Sequence, residues 1–158
     1  MAKAAEPVAT IDIRSADAGG AEARLLMDEM SEVLAGITGD GGRASFDAAD
    51  MQAPRALFVI ARDGAGGLLG CAALRPLDGG AAELKRMYAR PGGKGVGAAL
   101  LAHMEQQARA LGYLALHLET RRVNSRAVSF YQRHGYQTIP NYGKYIGVEH
   151  AICLGKTL

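Results

Sequence analysis

No run of apolar residues in this chain approaches the ~20 that a membrane-spanning helix needs. The opening residues, Met-Ala-Lys-Ala-Ala-Glu-Pro, lack the apolar stretch of a signal peptide. A cytoplasmic protein without a membrane partner is therefore expected. Long Lys/Arg runs are missing as well, and the formal net charge is only +2. That balance gives nucleic acid no electrostatic hold and argues against it as a partner. Cysteine is scarce, with Cys71 and Cys153 alone, both in apolar strand-like runs. Two such thiols read as small buried hydrophobes rather than a disulfide or a metal pair. None of His103, His117, His134 and His150 stands at a ligand spacing such as His-x-x-x-His, so no metal is expected. Internal repeats and domain linkers are also absent. What remains is a chain of 158 residues with 49% hydrophobic residues, enough for one domain, 1–158, around a real core. Residues 1–7 are expected to be loose.

The stretch from Leu84 to Gly112 organises the rest. It runs extended to Pro91, turns through Gly92-Gly93-Lys94-Gly95-Val96-Gly97, and continues as a helix-patterned segment closed by Gly112. A strand that feeds glycines into a helix start can hold a phosphate. Bare backbone N–H groups face the anion, and the helix dipole favours negative charge there. Lys94 would add a point charge. A tight turn alone would also use glycines. The P-loop reading fails, because Lys94 is followed by Gly95 and not by Ser or Thr. The dinucleotide fingerprint is weak, because its third glycine would fall at Leu100.

Hydrophobic periodicity divides the chain into seven strands and four helices. The strands are expected at 8–14, 55–62, 68–77, 82–90, 113–120, 136–139 and 147–154. Helices are expected at 21–34, 46–52 and 98–111, and from Asn124 or Ser125 to Gly135. Turns at 63–67 and 78–80 make the middle strands antiparallel neighbours. The segment from Gly36 to Gly42 should break the first helix. The result is an α+β domain with a mixed, mostly antiparallel sheet. The charges Asp40, Arg43, Asp47 and Asp50 read as a solvated loop.

Two blocks carry a family resemblance. Gly92 to Gly97 is similar to the coenzyme A loop Gln/Arg-x-x-Gly-x-Gly/Ala, and Ala98-Ala-Leu-Leu101 continues it as that family's helix does. About 20 residues on come Leu118-Glu-Thr120, Asn124 and Ser129-Phe-Tyr-Gln-Arg-His-Gly-Tyr136, which look like the family's next strand and its "Phe-Tyr-x-x-x-Gly-Phe" ending. Over about Leu68 to Leu158 the chain thus resembles the GNAT superfamily of acetyl-CoA-dependent N-acetyltransferases. It departs from the pattern at Gly92, where Arg or Gln is usual, and in a loop about two residues shorter, with Pro91 running straight into the glycines.

The resemblance implies the GNAT acyl-CoA N-acyltransferase fold, with acetyl-CoA as co-substrate. Gly92, Gly93, Lys94, Gly95, Val96 and Gly97 would take its pyrophosphate. Its pantetheine arm would pair with Met87, Tyr88 and Ala89 as an added strand. A backbone N–H near Met87 or Ala89 would serve the oxyanion. Arg90 and Lys85 could stand in for the missing loop Arg or Gln, or be surface charge. Acetyl transfer to an amine needs a base to remove the ammonium proton and an acid for the departing thiolate. Glu119, five residues before Asn124, has the base spacing of the enzymes that modify ribosomal-protein amino termini. Glu83, six residues before Ala89, has that of the histone-type enzymes. Either could instead face solvent. Tyr131, seven residues after Asn124, stands where the family's acid does, or is a core aromatic beside Phe130 and Tyr136. Asn124 would hydrogen-bond the pantetheine or simply cap a helix. Tyr142 and Tyr145, around Lys144, would wall a site for a small cation or peptide end, or form a plain turn. The implied activity is acetyl transfer to a primary amine of a small molecule, amino acid or peptide amino terminus. A non-catalytic acyl-CoA sensor of the same fold is the alternative, and an unrelated nucleotide-binding domain is a weaker one. A homodimer is left open.

Overall fold

The computed structural model describes residues 10–158; positions 1–9, including the expected loose start and the beginning of the first strand, lie outside the described residues. The strands are β1 (Asp12–Ser15), β2 (Leu57–Arg62), β3 (Leu68–Pro76), β4 (Ala81–Ala89), β5 (Ala115–Arg121), β6 (Gln137–Ile139) and β7 (Ala151–Thr157). They form one sheet in the order β1-β2-β3-β4-β5-β7-β6. Every pairing is antiparallel except that of β4 with β5. A parallel pair needs a crossover, and the helix α2 (Val96–Ala110) supplies it.

Helix α1 (Ala21–Thr38) covers one face of the sheet and α2 the other. Alternate residues of β2 and β3 therefore go to different cores. Phe58, Ile60, Cys71 and Ala73 pack under Leu26 and Met27 of α1. Val59, Ala61, Ala72 and Leu74 pack under Leu100, Leu101 and Met104 of α2. A sheet buried on both faces reads as continuous apolar runs, as Leu-Phe-Val-Ile-Ala does in β2. Helix α3 (Ser125–Arg133) packs at the edge of the second core through Tyr131.

Three boundaries differ from the sequence reading. Helix α1 does not stop at Leu34 but passes through Gly36 to Thr38, where Gly39 closes it at φ 80° with its N–H on Ala35 O. A helical glycine costs only ~1 kcal/mol, whereas a left-handed glycine just past the end is a stop. The segment at 46–52 forms a 3₁₀ turn, Ala48–Gln52, capped by Asp47, rather than an α-helix; five residues are too few to nucleate a longer helix. The last strand begins at Ala151, not at residue 147. Asn141 Nδ2 donates to the carbonyls of Tyr145, Val148 and Ala151, holding residues 141–150 as a compact loop.

Candidate active site

Strands β4 and β5 pair only through Ala81–Glu83 and Ala115–His117. Beyond that point they diverge. A bulge opposite Cys71 and Ala73 increases the separation, and within it Arg86 sits at φ 52°. A bulge of this kind adds one residue and twists the strand. From Leu84 to Ala89 the edge of β4 toward β5 has no strand partner, so its backbone groups face open space. The resulting cleft, about 880 Å³, runs from the start of α2 to the loop before β7.

At one end lies the glycine turn. Gly92, Gly93, Gly95, Val96 and Gly97 all line the cleft. Gly92 and Gly95 take φ 93° and 74°, a conformation that only glycine adopts without strain. A Cβ at either would meet nothing within 4 Å, whereas one at Gly93 would meet the Val96 side chain at 2.8 Å. Gly95 is the N-cap of α2, whose first N–H groups have no intrahelical acceptor. The cradle fits a diphosphate.

Further along, Glu119 from β5 and Tyr131 from α3 line the same cleft. Burial pushes the Glu119 carboxyl above the usual carboxylate range, with Arg121 and Lys85 pulling the other way. Tyr131 is 9% exposed and burial raises its phenol well above the ordinary value, so it keeps its proton at neutral pH. Asn124 caps α3, its Oδ1 accepting from Ala127 N at 3.3 Å, and also lines the cleft. Met87, Tyr88 and Ala89 stand along the open edge of β4. An open glycine turn, a strand edge, a carboxyl whose pKa is raised by burial and a proton-bearing phenol thus share one cavity.

A family model described as the acetyltransferase (GNAT) family matches residues 24–136. The chain belongs to that family. An IAA acetyltransferase of Azospirillum brasilense is 30% identical over 123 residues, 76% of this chain and 80% of its own. An N-acetyltransferase of Schizosaccharomyces pombe is 36% identical over 92 residues, and the chain spans only 56% of that relative's length. The PaiA N-acetyltransferase of Thermoplasma acidophilum, solved with coenzyme A, superposes with a TM-score of 0.71 at 21% identity, covering 94% of this chain and 99% of its own. This likeness shows the GNAT fold.

Of the residues proposed from the GNAT resemblance, Glu83, Lys94 and Tyr142 lie outside the cleft, while Lys85 and Arg90 line it but are engaged by other groups of the chain. Glu83 is 1% exposed and does not line the cleft. Arg75 Nε donates to its Oε1 at 2.6 Å and the Tyr142 hydroxyl to its Oε2 at 2.6 Å. Both oxygens are engaged, so Glu83 is a structural anion here. Tyr142 is accordingly turned to Glu83 and away from the cleft, which only Tyr145 of the pair lines. The Tyr145 ring already carries the chain's own cations, Lys144 Nζ at 5.7 Å and Lys85 Nζ at 5.9 Å from its centroid. Lys85 is buried, with its ammonium 3.3 Å from the Tyr145 hydroxyl, which places it far from a phosphate role. Arg90 is engaged by Glu29, Nε to Oε1 at 2.9 Å. Lys94 is exposed and does not line the cleft, because the flanking glycines turn their backbone inward and leave it on the outer side.

Two arginines that the sequence reading passes over line the cleft near the glycine turn: Arg126 and Arg133 of α3. Their separation of seven residues, two helical turns, was the available signal. Arg86 was equally unforeseen. Its guanidinium reaches α1, donating to Met27 O at 2.6 Å and Ser31 Oγ at 2.7 Å, and to Gly41 O at 3.3 Å. It ties α1 and the segment after it to β4. The extra turn of α1 brings Ile37 and Thr38 into the same wall.

Proposed function

We propose that the chain is an acetyl-CoA-dependent N-acetyltransferase that moves the acetyl group directly to a primary amine of a small molecule, amino acid or peptide amino terminus. The observation that carries this is the shared cleft: the open glycine turn lies at one end, and Glu119 and Tyr131 face the same cavity. The S. pombe relative and the PaiA structure are both described as N-acetyltransferases.

Acetyl-CoA supplies an activated acetyl group as a thioester. The turn at Gly92 to Gly97 and the start of α2 hold its diphosphate, with Arg126 and Arg133 as nearby counter-charges in place of a loop Arg or Gln. The free edge at Met87, Tyr88 and Ala89 pairs with its amide arm as an added strand. Glu119, directly or through a water, takes the proton from the acceptor ammonium. The amine nitrogen then forms a bond to the acyl carbon as the carbon–sulfur bond breaks. A backbone N–H of the β4 edge stabilises the charge on the carbonyl oxygen. Tyr131 gives its proton to the leaving sulfur, and the second proton shed by the new amide nitrogen returns to the Tyr131 oxygen, while Glu119 passes the first to solvent. No covalent enzyme intermediate is needed, since holding donor and amine together supplies much of the rate.

The test is release of free thiol from acetyl-CoA across a panel of primary amines. Saturable release is expected. Binding of coenzyme A without thiol release above background for any amine would favour a non-catalytic acyl-CoA sensor instead.

A further inference from the structure

The end of the cleft away from the glycine turn has two unlike walls. One is the exposed apolar face of α1, where Met30, Val33, Leu34 and Ile37 line the cavity. Val33 is 47% and Ile37 44% exposed, a high exposure for large aliphatics on a helix that packs against a sheet. The other wall is cationic. Lys144 and Arg121 line the cleft together with Glu119, and both act on that carboxyl electrostatically. The acidic groups around them are already engaged. Asp40 accepts from Arg121 Nη2 at 2.8 Å, and Glu83 is held by Arg75 and Tyr142. Lys144 has no carboxylate partner among the described residues, and lies over the Tyr145 ring. A pocket built for a plain cationic amine would present acid and aromatic faces. Here the aromatic face is taken by lysines.

We propose that the acceptor is a free amino acid with an apolar side chain, its carboxylate recognised by Lys144 with Arg121, its side chain by the α1 wall, and its amine by Glu119. This rests on the reading of the cleft as an N-acetyltransferase site and narrows it. The ammonium and carboxylate of one small molecule would meet opposite charges only a few ångströms apart. Water displaced from Val33 and Ile37 adds apolar affinity. The charge pattern disfavours polyamines and other acceptors whose only charges are positive, because Lys144, whose charge no carboxylate among the described residues pairs, repels them, while Arg121 and Lys85 are paired with Asp40 and Glu83.

The experiment compares matched acceptors: leucine, leucinamide and isoamylamine, and the corresponding phenylalanine set. Thiol release from acetyl-CoA is followed with each. The free acids are expected to exceed their amides in kcat/KM by about tenfold or more, the scale of one charge-assisted hydrogen bond. Such a preference cannot come from amine basicity, because the amides hold more of their amine unprotonated. Lys144→Gln is expected to bring the free acid down to the level of its amide, mainly by raising its KM. Lys144 is exposed, so the variant should fold. Amides turned over as fast as the acids would overturn the inference while leaving the N-acetyltransferase reading intact. So would an acid preference that survives Lys144→Gln and Arg121→Gln combined. Absence of thiol release with every member of both sets, and with a broad amine panel, would instead bring down the reading beneath it.

Discussion

At the scale of single residues, the proposed mechanism gives Glu119 and Tyr131 opposite tasks under the same burial. A carboxyl losing water holds its proton more tightly, and so does a phenol. For Glu119 this brings the base closer to working pH; for Tyr131 it secures a donor. The kcat/KM of the enzyme is expected to rise with pH through a group above the ordinary carboxylate range. Glu119→Gln should remove that limb along with most of the activity, as read from a pH–rate profile. The same shift has a consequence for stability. The folded carboxyl titrates above its unfolded value, so its contribution to stability is complete at low pH and is lost as pH rises through the folded value. At neutral pH ionised Glu119 therefore costs stability. Glu119→Gln should raise the melting temperature near pH 7, a gain that disappears below about pH 3, where the carboxyl is protonated in both states. A melting temperature unchanged at both pH values would contradict the burial argument. Tyr131→Phe should lower kcat by about 10²-fold with the KM for acetyl-CoA nearly constant, which steady-state kinetics would check.

At the scale of elements, the glycine turn and α2 act together. Gly95 sits at φ 74° with empty space around its Cβ position, so Gly95→Ala meets no clash and costs only conformational strain, about 1–2 kcal/mol. That strain should rotate the first N–H groups of α2 away from the anion. Calorimetry is expected to show coenzyme A affinity lower by about tenfold, with acceptor KM much less affected. The turn, α2 and the end of β4 were legible in advance because each has a local cause: glycines where φ is positive, apolar residues at helical spacing, a glycine stop at Gly112. The true length of α1 was not. Gly36 looked like a terminator, yet the turn beyond it survives because Gly39 and Thr38, whose hydroxyl donates to Leu34 O at 2.9 Å, close the helix later. The cleft owes Ile37 to that extra turn.

At the scale of the molecule, binding and folding are linked. The diphosphate cradle needs β4 and α2, while Asn124 and Tyr131 need α3 and β5. Ligand should therefore stabilise the whole chain. At about 100 times its dissociation constant, coenzyme A is expected to add about 2.7 kcal/mol, a rise in melting temperature of roughly 5–10 °C. NAD and ATP should give much less, and an equal shift with either would point to a different nucleotide. The sequence by itself determined the α+β order of elements, the antiparallel β2–β4 meander and the glycine turn, while Glu119 and Tyr131 became candidates through the GNAT resemblance. The first three follow from short-range rules of backbone conformation, periodicity and motif spacing. Only the tertiary structure gave Glu83 its partners Arg75 and Tyr142, engaged Arg90 with Glu29 and placed Lys85 on Tyr145. Such outcomes depend on partners that arrive from as far as 59 to 61 residues away, as Tyr142 does for Glu83, and a charged side chain's role is fixed by the partner it meets.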